Sequence, residues 1–162
     1  GGEFQKPLKE GADLMTGSTY KSFGGPPSRM VFTSSAELAA RLDIIDFPGL
    51  TANFDLSRAA AIVIAVLDLL TQGREYTKMC IFNAKALAVT LHTGGCNVFH
   101  VSGKGFTNSL HVALPAATYG GGDTASKLLE KPNLFTSKIS LPLPPVPADF
   151  NAIRLGTQEI TR

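Results

Sequence analysis

The densest apolar stretch of the chain, residues 59–67, most constrains what this sequence can fold into. It is interrupted by Asp68, and even when extended to Leu70 it is far shorter than the ~20 residues that a bilayer requires. Asp55 precedes it as a candidate helix N-cap, and apolar residues fall on nearly every face of the helix. The pattern therefore predicts a helix buried in a core or an interface, and no segment that spans a membrane.

The composition narrows the class of protein. The 162 residues carry a formal charge of +2, so the chain lacks the basic footprint of a nucleic-acid-binding or membrane-surface protein. Only 17% of the residues are charged and 44% are hydrophobic, which indicates a large buried surface, part of it against a partner. Cys80 and Cys96 form no CxxC pair, so we expect neither a disulfide framework nor a metal site. With no signal peptide visible, the expected location is cytoplasmic.

The residue periodicities predict an α/β chain. Helices are expected over residues 35–42 (capped by Ser34 or Ser35), 56–70, 74–92 and 123–131, and strands over 12–16, 29–33, 97–102, 109–114, 134–139 and 152–160. Gln72-Gly73 separates the two long helices, and Thr93-Gly94-Gly95 ends the second. Residues 97–114 suggest an antiparallel hairpin. Because α/β sheets are normally covered on both faces, the uncovered last strand suggests a portion of a longer polypeptide.

The run TGSTYKSFGGPP, residues 16–27, follows a predicted strand and places Lys21 among hydroxyls and glycines. A desolvated lysine loses its proton more easily and becomes a nucleophile that forms imines. From spacing alone, the alternative is a surface lysine in a turn.

Three motifs in order resemble the serine hydroxymethyltransferase family, pyridoxal-phosphate-dependent enzymes of fold type I. The lysine run is similar to the family's TTTHKTLRGP, FPG at residues 47–49 precedes a long helix, and IRLGTQEIT at residues 153–161 matches IRxGTxxIT. The resemblance covers only the C-terminal portion of the family. It implies that residues 1–54 end the large cofactor-binding domain, that 55–75 form a connecting buried helix, and that 76–162 form a small α+β domain.

The same resemblance implies roles for individual residues. Lys21 would bind pyridoxal 5'-phosphate covalently, with Ser18, Tyr20 and Asn53 near the cofactor, and Arg154 would bind the α-carboxylate of the amino-acid substrate. A guanidinium suits that task because it offers a planar pair of donors and stays charged. The general base and the partner of the pyridine nitrogen lie upstream in the family and are absent from this sequence.

The sequence also departs from the family. Tyr20 replaces a histidine, Asn53 replaces the last glycine of FPGGQGG, and residues 142–147 are a proline-rich run with no counterpart of the folate contacts. The resemblance implies a homodimeric enzyme of amino-acid and one-carbon metabolism that makes or breaks the Cα–Cβ bond of a β-hydroxy amino acid by hydroxymethyl transfer, with tetrahydrofolate as a candidate co-substrate. The departures point toward relatives that keep the aldol chemistry and change the one-carbon partner, such as threonine transaldolases and α-methylserine hydroxymethyltransferases. One alternative is a threonine transaldolase or an aldolase that does not use folate. Another is a non-catalytic fragment or pseudoenzyme subunit that acts in association.

Other motifs favour structural interpretations. Gly103-Lys104-Gly105 is expected to be a hairpin turn rather than a phosphate loop. The glycines at 120–122 suggest a flexible link, with an anion-binding nest as the alternative. His92, His100 and His111 show no metal-ligand spacing, and structural roles are expected for them.

Overall fold

The computed structural model describes residues 2–53 and 55–162. The chain divides into two compact units, Gly1–Glu75 and Tyr76–Arg162, and each is described by itself. The domain boundary expected after residue 54 falls on a residue outside the described ones.

The first unit begins with a 3-10 turn, Pro7–Lys9, and an antiparallel pair of strands, β1 (Met15–Ser18) and β2 (Arg29–Phe32). Helix α1 (Ala36–Ile44) begins where the sequence predicts, because the Oγ of Ser35 accepts a hydrogen bond from the Leu38 amide at 3.3 Å. A turn, Ile45–Leu50, in which the backbone of Phe47 is extended, follows α1. Its end is held by the amide of Thr51, which donates to the Asp46 carbonyl at 2.7 Å.

Helix α2 runs without interruption from Leu56 to Thr93. The Oδ1 of Asp55 accepts from the Arg58 amide at 3.1 Å, which confirms the expected N-cap. The predicted break at Gln72-Gly73 is wrong. A glycine inside a helix costs only about 1 kcal/mol relative to alanine, and here Gly73 is buried at a point where a Cβ would lie 3.1 Å from the Leu69 side chain. The predicted end is confirmed, since Gly95 adopts a φ of 88° after the last turn.

The first half of α2 is exposed within the described part of the chain, and the prediction that residues 55–75 are buried in a core or an interface stays a prediction. Leu56, Ile64 and Leu70 are each about two-thirds exposed or more, at 72%, 67% and 76%. The described elements pack instead on the second half of α2, where small alanines face a sheet. By length and composition alone the helix could cross a membrane, with a mean hydropathy of 1.5 over its most apolar window. A core helix also meets that criterion, so the prediction that no segment spans a membrane stays a prediction.

The second unit contains a three-stranded antiparallel sheet in the order β3 (His111–Pro115), β5 (Ala152–Gly156), β4 (Ser137–Ile139). The predicted hairpin over residues 97–114 is wrong. Gly103 and Gly105, both at positive φ, close a tight loop bridged from Val101 to Gly105, and β3 pairs with the distant β5. The last strand also ends earlier than predicted, because residues 158–161 form a short helix, α4 (Gln158–Thr161).

The three glycines at 120–122 are neither a flexible link nor an anion site. Gly121 and Gly122 are buried at the start of α3 (Gly122–Glu130), where any side chain would collide with Asp149 or with the Ala152 carbonyl. The Asp149 carboxylate already occupies this helix end, since it accepts from the amides of Asp123 at 2.8 Å and Thr124 at 3.3 Å. These hydrogen bonds lower the pKa of Asp149, and the bond from the Asp123 amide has the largest effect.

The core of the second unit lies between α2 and the sheet. Ala84 and Ala88 of α2 are fully buried against Val98 and Val112, and a second cluster joins Ala116, Ala125 and Ile153 under α3. Thr157 connects helix and sheet. Its side chain is fully buried, and its Oγ1 donates to the Cys80 carbonyl at 2.7 Å while its amide donates to the Leu110 carbonyl at 3.1 Å.

We expect Thr157→Val to lower the free energy of unfolding by about 1 kcal/mol, the net value of one buried hydrogen bond, because valine keeps the shape and loses the donor. Urea denaturation measures the change. Thr90→Val, at an exposed position of α2, is the matched control and should change stability by less than half as much. Equal effects of the two substitutions would contradict the role given to Thr157.

We expect Asp149→Asn to flatten the acid dependence of stability. Because the folded-state pKa of Asp149 lies below its ordinary value of 3.8, the stabilisation is present above that pH and is lost as pH falls through the lower folded-state pKa. Thermal midpoints recorded from about pH 7 to about pH 2 should therefore fall less steeply below about pH 4 in the variant than in the wild type. Exposed Asp68→Asn is the control, and a variant curve parallel to the wild-type curve would disprove the explanation.

Candidate functional site

The lysine run forms the loop that joins β1 to β2, and its base is pinned by Thr19. The Thr19 side chain is fully buried, its amide donates to the Ser28 carbonyl at 3.0 Å, and its carbonyl accepts from the Gly25 amide at 2.7 Å. Its hydroxyl donates to the Pro26 carbonyl. Sequence reasoning missed this residue, although its position among the hydroxyl residues of the motif is a usable signal. The loop is therefore anchored by backbone bonds while its tip remains free to carry function.

Lys21 lies at the tip of this loop. Its carbonyl accepts from the Gly24 amide at 2.8 Å, and Gly24 has a φ of 76°, a conformation that glycine adopts without strain. The side chains of Lys21 and Tyr20 are exposed, and Ser18 is half-buried at the end of β1, opposite Arg29. The end of β1 and the loop thus carry the amine of Lys21 close in sequence to the hydroxyls of Ser18 and Tyr20. The burial that would desolvate Lys21 is not supplied by the described residues.

Asn53 lies in the same unit but on a different segment. It is exposed, two residues after Thr51, whose hydroxyl and amide both donate to the Asp46 carbonyl at 2.7 Å. The structure thus places Ser18, Tyr20 and Lys21 on one loop and Asn53 on a separate turn.

Arg154 lies in the second unit at the centre of the sheet. It occupies the middle of β5, with Ala113 of β3 and Ser137 of β4 as its direct cross-strand neighbours. Ile153 and Leu155 turn to the opposite, core-facing side. The Arg154 side chain is exposed, and its Nη2 donates to the Oγ of Ser137 at 3.4 Å. The guanidinium is therefore held by a neighbouring strand on the open face of the sheet.

His111 shares that face with Arg154, because it lies two residues before Ala113 on β3. Burial of the imidazole, together with the positive charge of Arg154, lowers the pKa of His111. A neutral imidazole offers one donor and one acceptor nitrogen. This pairing depends on the register between β3 and β5, which no local pattern in the sequence indicates.

The proline-rich run before β5 is ordered by one buried amide. Asn151 accepts at Oδ1 from the Leu141 amide at 2.8 Å, and its Nδ2 donates to the carbonyls of Leu141 and Leu143, each at 3.0 Å. The residue that orders this run was not predicted.

The histidines do not gather into a metal site in the part of the chain that the structure describes. His92 and His100 pack their rings against Phe106, with centroids 5.1 and 5.9 Å away. Among the described residues, no group of three or more His, Cys, Asp or Glu side chains is placed to hold a metal ion.

Comparison with known proteins gives alignments that cover the whole of this chain. No family model matches the chain. An alpha-methylserine aldolase from Ralstonia sp is 44% identical over 162 residues, which are 100% of this chain and 37% of the relative. A serine hydroxymethyltransferase from Archaeoglobus fulgidus is 42% identical over 164 residues, again 100% of this chain and 37% of the relative.

A solved structure agrees with these sequence matches. L-Threonine transaldolase from Pseudomonas fluorescens, in its internal aldimine state, superposes with a TM-score of 0.85 at 30% identity, covering 99% of this chain and 36% of that one. The chain thus spans little more than a third of the length of the relatives that it matches. The expected α/β class is confirmed, as is the correspondence to the C-terminal portion of such enzymes. Over its whole length, the chain is related to the C-terminal part of the serine hydroxymethyltransferase-like enzymes of fold type I.

Proposed function

We propose that the protein to which this chain belongs is a pyridoxal-phosphate-dependent enzyme that makes or breaks the Cα–Cβ bond of a β-hydroxy amino acid. The observation that carries the proposal is the lysine motif on its anchored loop, with Lys21 exposed at the tip and hydroxyls beside it. The relatives' names support the same class of reaction: an aldolase, a hydroxymethyltransferase and a transaldolase.

The donor set of the loop fits the cofactor. An exposed primary amine can bind an aldehyde covalently, and the hydroxyls of Ser18 and Tyr20 can donate to an anionic phosphate. Asn53 is the further candidate, through its side-chain amide. When bound, pyridoxal phosphate supplies an electron sink for negative charge at Cα, and the protein supplies binding and orientation.

Arg154 binds the substrate carboxylate in this proposal. Its guanidinium is exposed, always charged, and held by Ser137 on the open face of the sheet. A bidentate guanidinium–carboxylate pair fixes both the position and the plane of the amino acid. Holding the substrate in this way aligns the Cα–Cβ bond for cleavage, which is the contribution that orientation makes to catalysis.

Two candidate reactions share these roles. Serine–glycine interconversion by hydroxymethyl transfer would use tetrahydrofolate, whereas an aldolase or transaldolase would not. The second candidate is supported by the absence of a counterpart to the family's folate contacts in residues 142–147 and by the relatives named alpha-methylserine aldolase. A cytoplasmic homodimer is proposed for either.

A function of another class remains as an alternative. The exposed apolar side chains on the first half of α2, including Leu56, Ile64 and Leu70, would suit a non-catalytic polypeptide that acts in association with a partner. Covalent cofactor binding separates this alternative from the enzyme.

Pyridoxal phosphate added to the protein should give a visible absorbance band, because the Lys21 amine binds the aldehyde. Borohydride reduction should then fix one pyridoxyl group on the peptide that contains Lys21, as peptide mass spectrometry would detect. Lys21→Ala should abolish both signals, while Lys9→Ala, an exposed lysine of the same unit, should retain them. A protein that stays colourless with Lys21 intact would overturn the proposal.

The rates at which L-serine gives glycine and α-methyl-L-serine gives alanine distinguish the two candidate reactions, because the amino-acid product forms whether the one-carbon unit leaves as formaldehyde or passes to tetrahydrofolate. Because residues 142–147 lack the folate contacts, we expect the cofactor-loaded protein to form these products at rates that change by less than about twofold when tetrahydrofolate is added. This change corresponds to less than 0.5 kcal/mol in the barrier. A rise of about tenfold or more would identify hydroxymethyl transfer instead. Lys21→Ala is the inactive control.

A further inference from the structure

The open face of the sheet carries more polar groups than Arg154. His111 of β3 lies directly opposite Gly156 of β5. Gly156 has no side chain, and helix α4 begins two residues later at Gln158. A Cβ at Gly156 would collide with the side-chain amide of Gln158, and therefore this amide lies over Gly156 on the same face as Arg154 and His111. Ser137, Arg154, His111 and Gln158 consequently form one polar row across three strands and the start of α4.

The amide of Gln158 is incompletely satisfied. Its Oε1 is buried and, among the described residues, has no hydrogen-bond donor. Buried acceptors without partners are uncommon in proteins and are costly, so a donor that a ligand brings to this amide would relieve that cost. This observation does not depend on the assignment of Arg154.

His111 adds complementary chemistry. Half-buried beside the Arg154 charge, its imidazole keeps a lowered pKa and stays neutral near pH 7, with one donor nitrogen. Lys138, the cation on β4, projects to the opposite side of the sheet and binds Asp123 at 2.5 Å. Arg154 is thus the charge that faces His111, and both side chains can approach one anion from the same surface.

We propose that His111 and Gln158 bind the same ligand as Arg154: His111 donates to the carboxylate beside the guanidinium, and Gln158 Oε1 accepts from a hydroxyl or amine that the ligand carries next to that carboxylate. The class of ligand is a small carboxylic acid with such a donor, and a plain carboxylate would use only part of the row. This inference rests on the proposed function for the carboxylate role of Arg154.

Calorimetric titration of the complete protein with L-serine and with propionate tests the row. The variants are His111→Leu, His111→Gln, Gln158→Met and Arg154→Lys. We expect His111→Leu to weaken binding of both ligands about tenfold, the loss of one hydrogen bond to a charged group, and His111→Gln to restore part of the affinity. Gln158→Met should weaken L-serine binding about fivefold and leave propionate binding unchanged.

The thermal midpoint of unfolding, measured without ligand, distinguishes a binding role of Gln158 from a purely structural one, because the two roles predict changes of opposite sign in Gln158→Met. Because Gln158→Met removes an unpartnered buried oxygen, it should raise the thermal midpoint while lowering the affinity for L-serine. If Gln158 only supports the fold, both quantities should fall together. Besides burial, the positive charge of Arg154 contributes to the lowered pKa of His111. L-Serine bound to Arg154 neutralises that charge, so the His111 resonances of the wild type, followed by proton NMR, should titrate at higher pH when L-serine is present.

The outcomes separate this inference from the proposed function. If Arg154→Lys loses L-serine binding while His111→Leu and Gln158→Met bind L-serine as the wild type does, the binding roles proposed for His111 and Gln158 are wrong and the role of Arg154 stands. If Arg154→Lys also binds as the wild type does, the carboxylate role falls with it. Weakened L-serine binding in His111→Leu and in Gln158→Met, with propionate sensitive only to the first, supports the row.

Discussion

The buried hydroxyl of Thr157 is the contact on which the arrangement of the second unit depends. It joins the Cys80 carbonyl in the middle of α2 to the residue that follows β5, and the Thr157 amide joins the same point to Leu110 just before β3. A buried polar side chain must find partners, so this one position sets how the helix meets the sheet. Arg154, three residues earlier on β5, takes its place on the open face as a consequence.

Short polar side chains then order the irregular segments around that strand. Asp149 caps α3 through its carboxylate, and Asn151 holds the proline-rich run through its amide. The two glycines at 121 and 122 permit the close approach that the cap requires. Segments that composition alone would class as flexible are ordered because their backbone groups have specific side-chain partners.

The first unit follows the same principle on a smaller scale. Thr19 is buried and fully hydrogen-bonded at the base of the loop, while Lys21, two residues later, is exposed at its tip. Anchoring and chemistry are thus assigned to neighbouring residues of one motif. A loop held at its base can present an amine in a defined place without burying it.

Local chemistry was predictable from the sequence, since the Ser35 and Asp55 caps and the glycine stop after α2 depend on residues a few positions apart. The family motifs likewise located Lys21 and Arg154 as candidates. The break at Gln72-Gly73 and the hairpin over 97–114 were wrong, because each depends on which distant residues pack nearby. The pairing of β3 with β5, and with it the row of His111, Arg154 and Gln158, was decided only by tertiary structure. Contacts between residues some 40 positions apart leave no local period for a sequence to display.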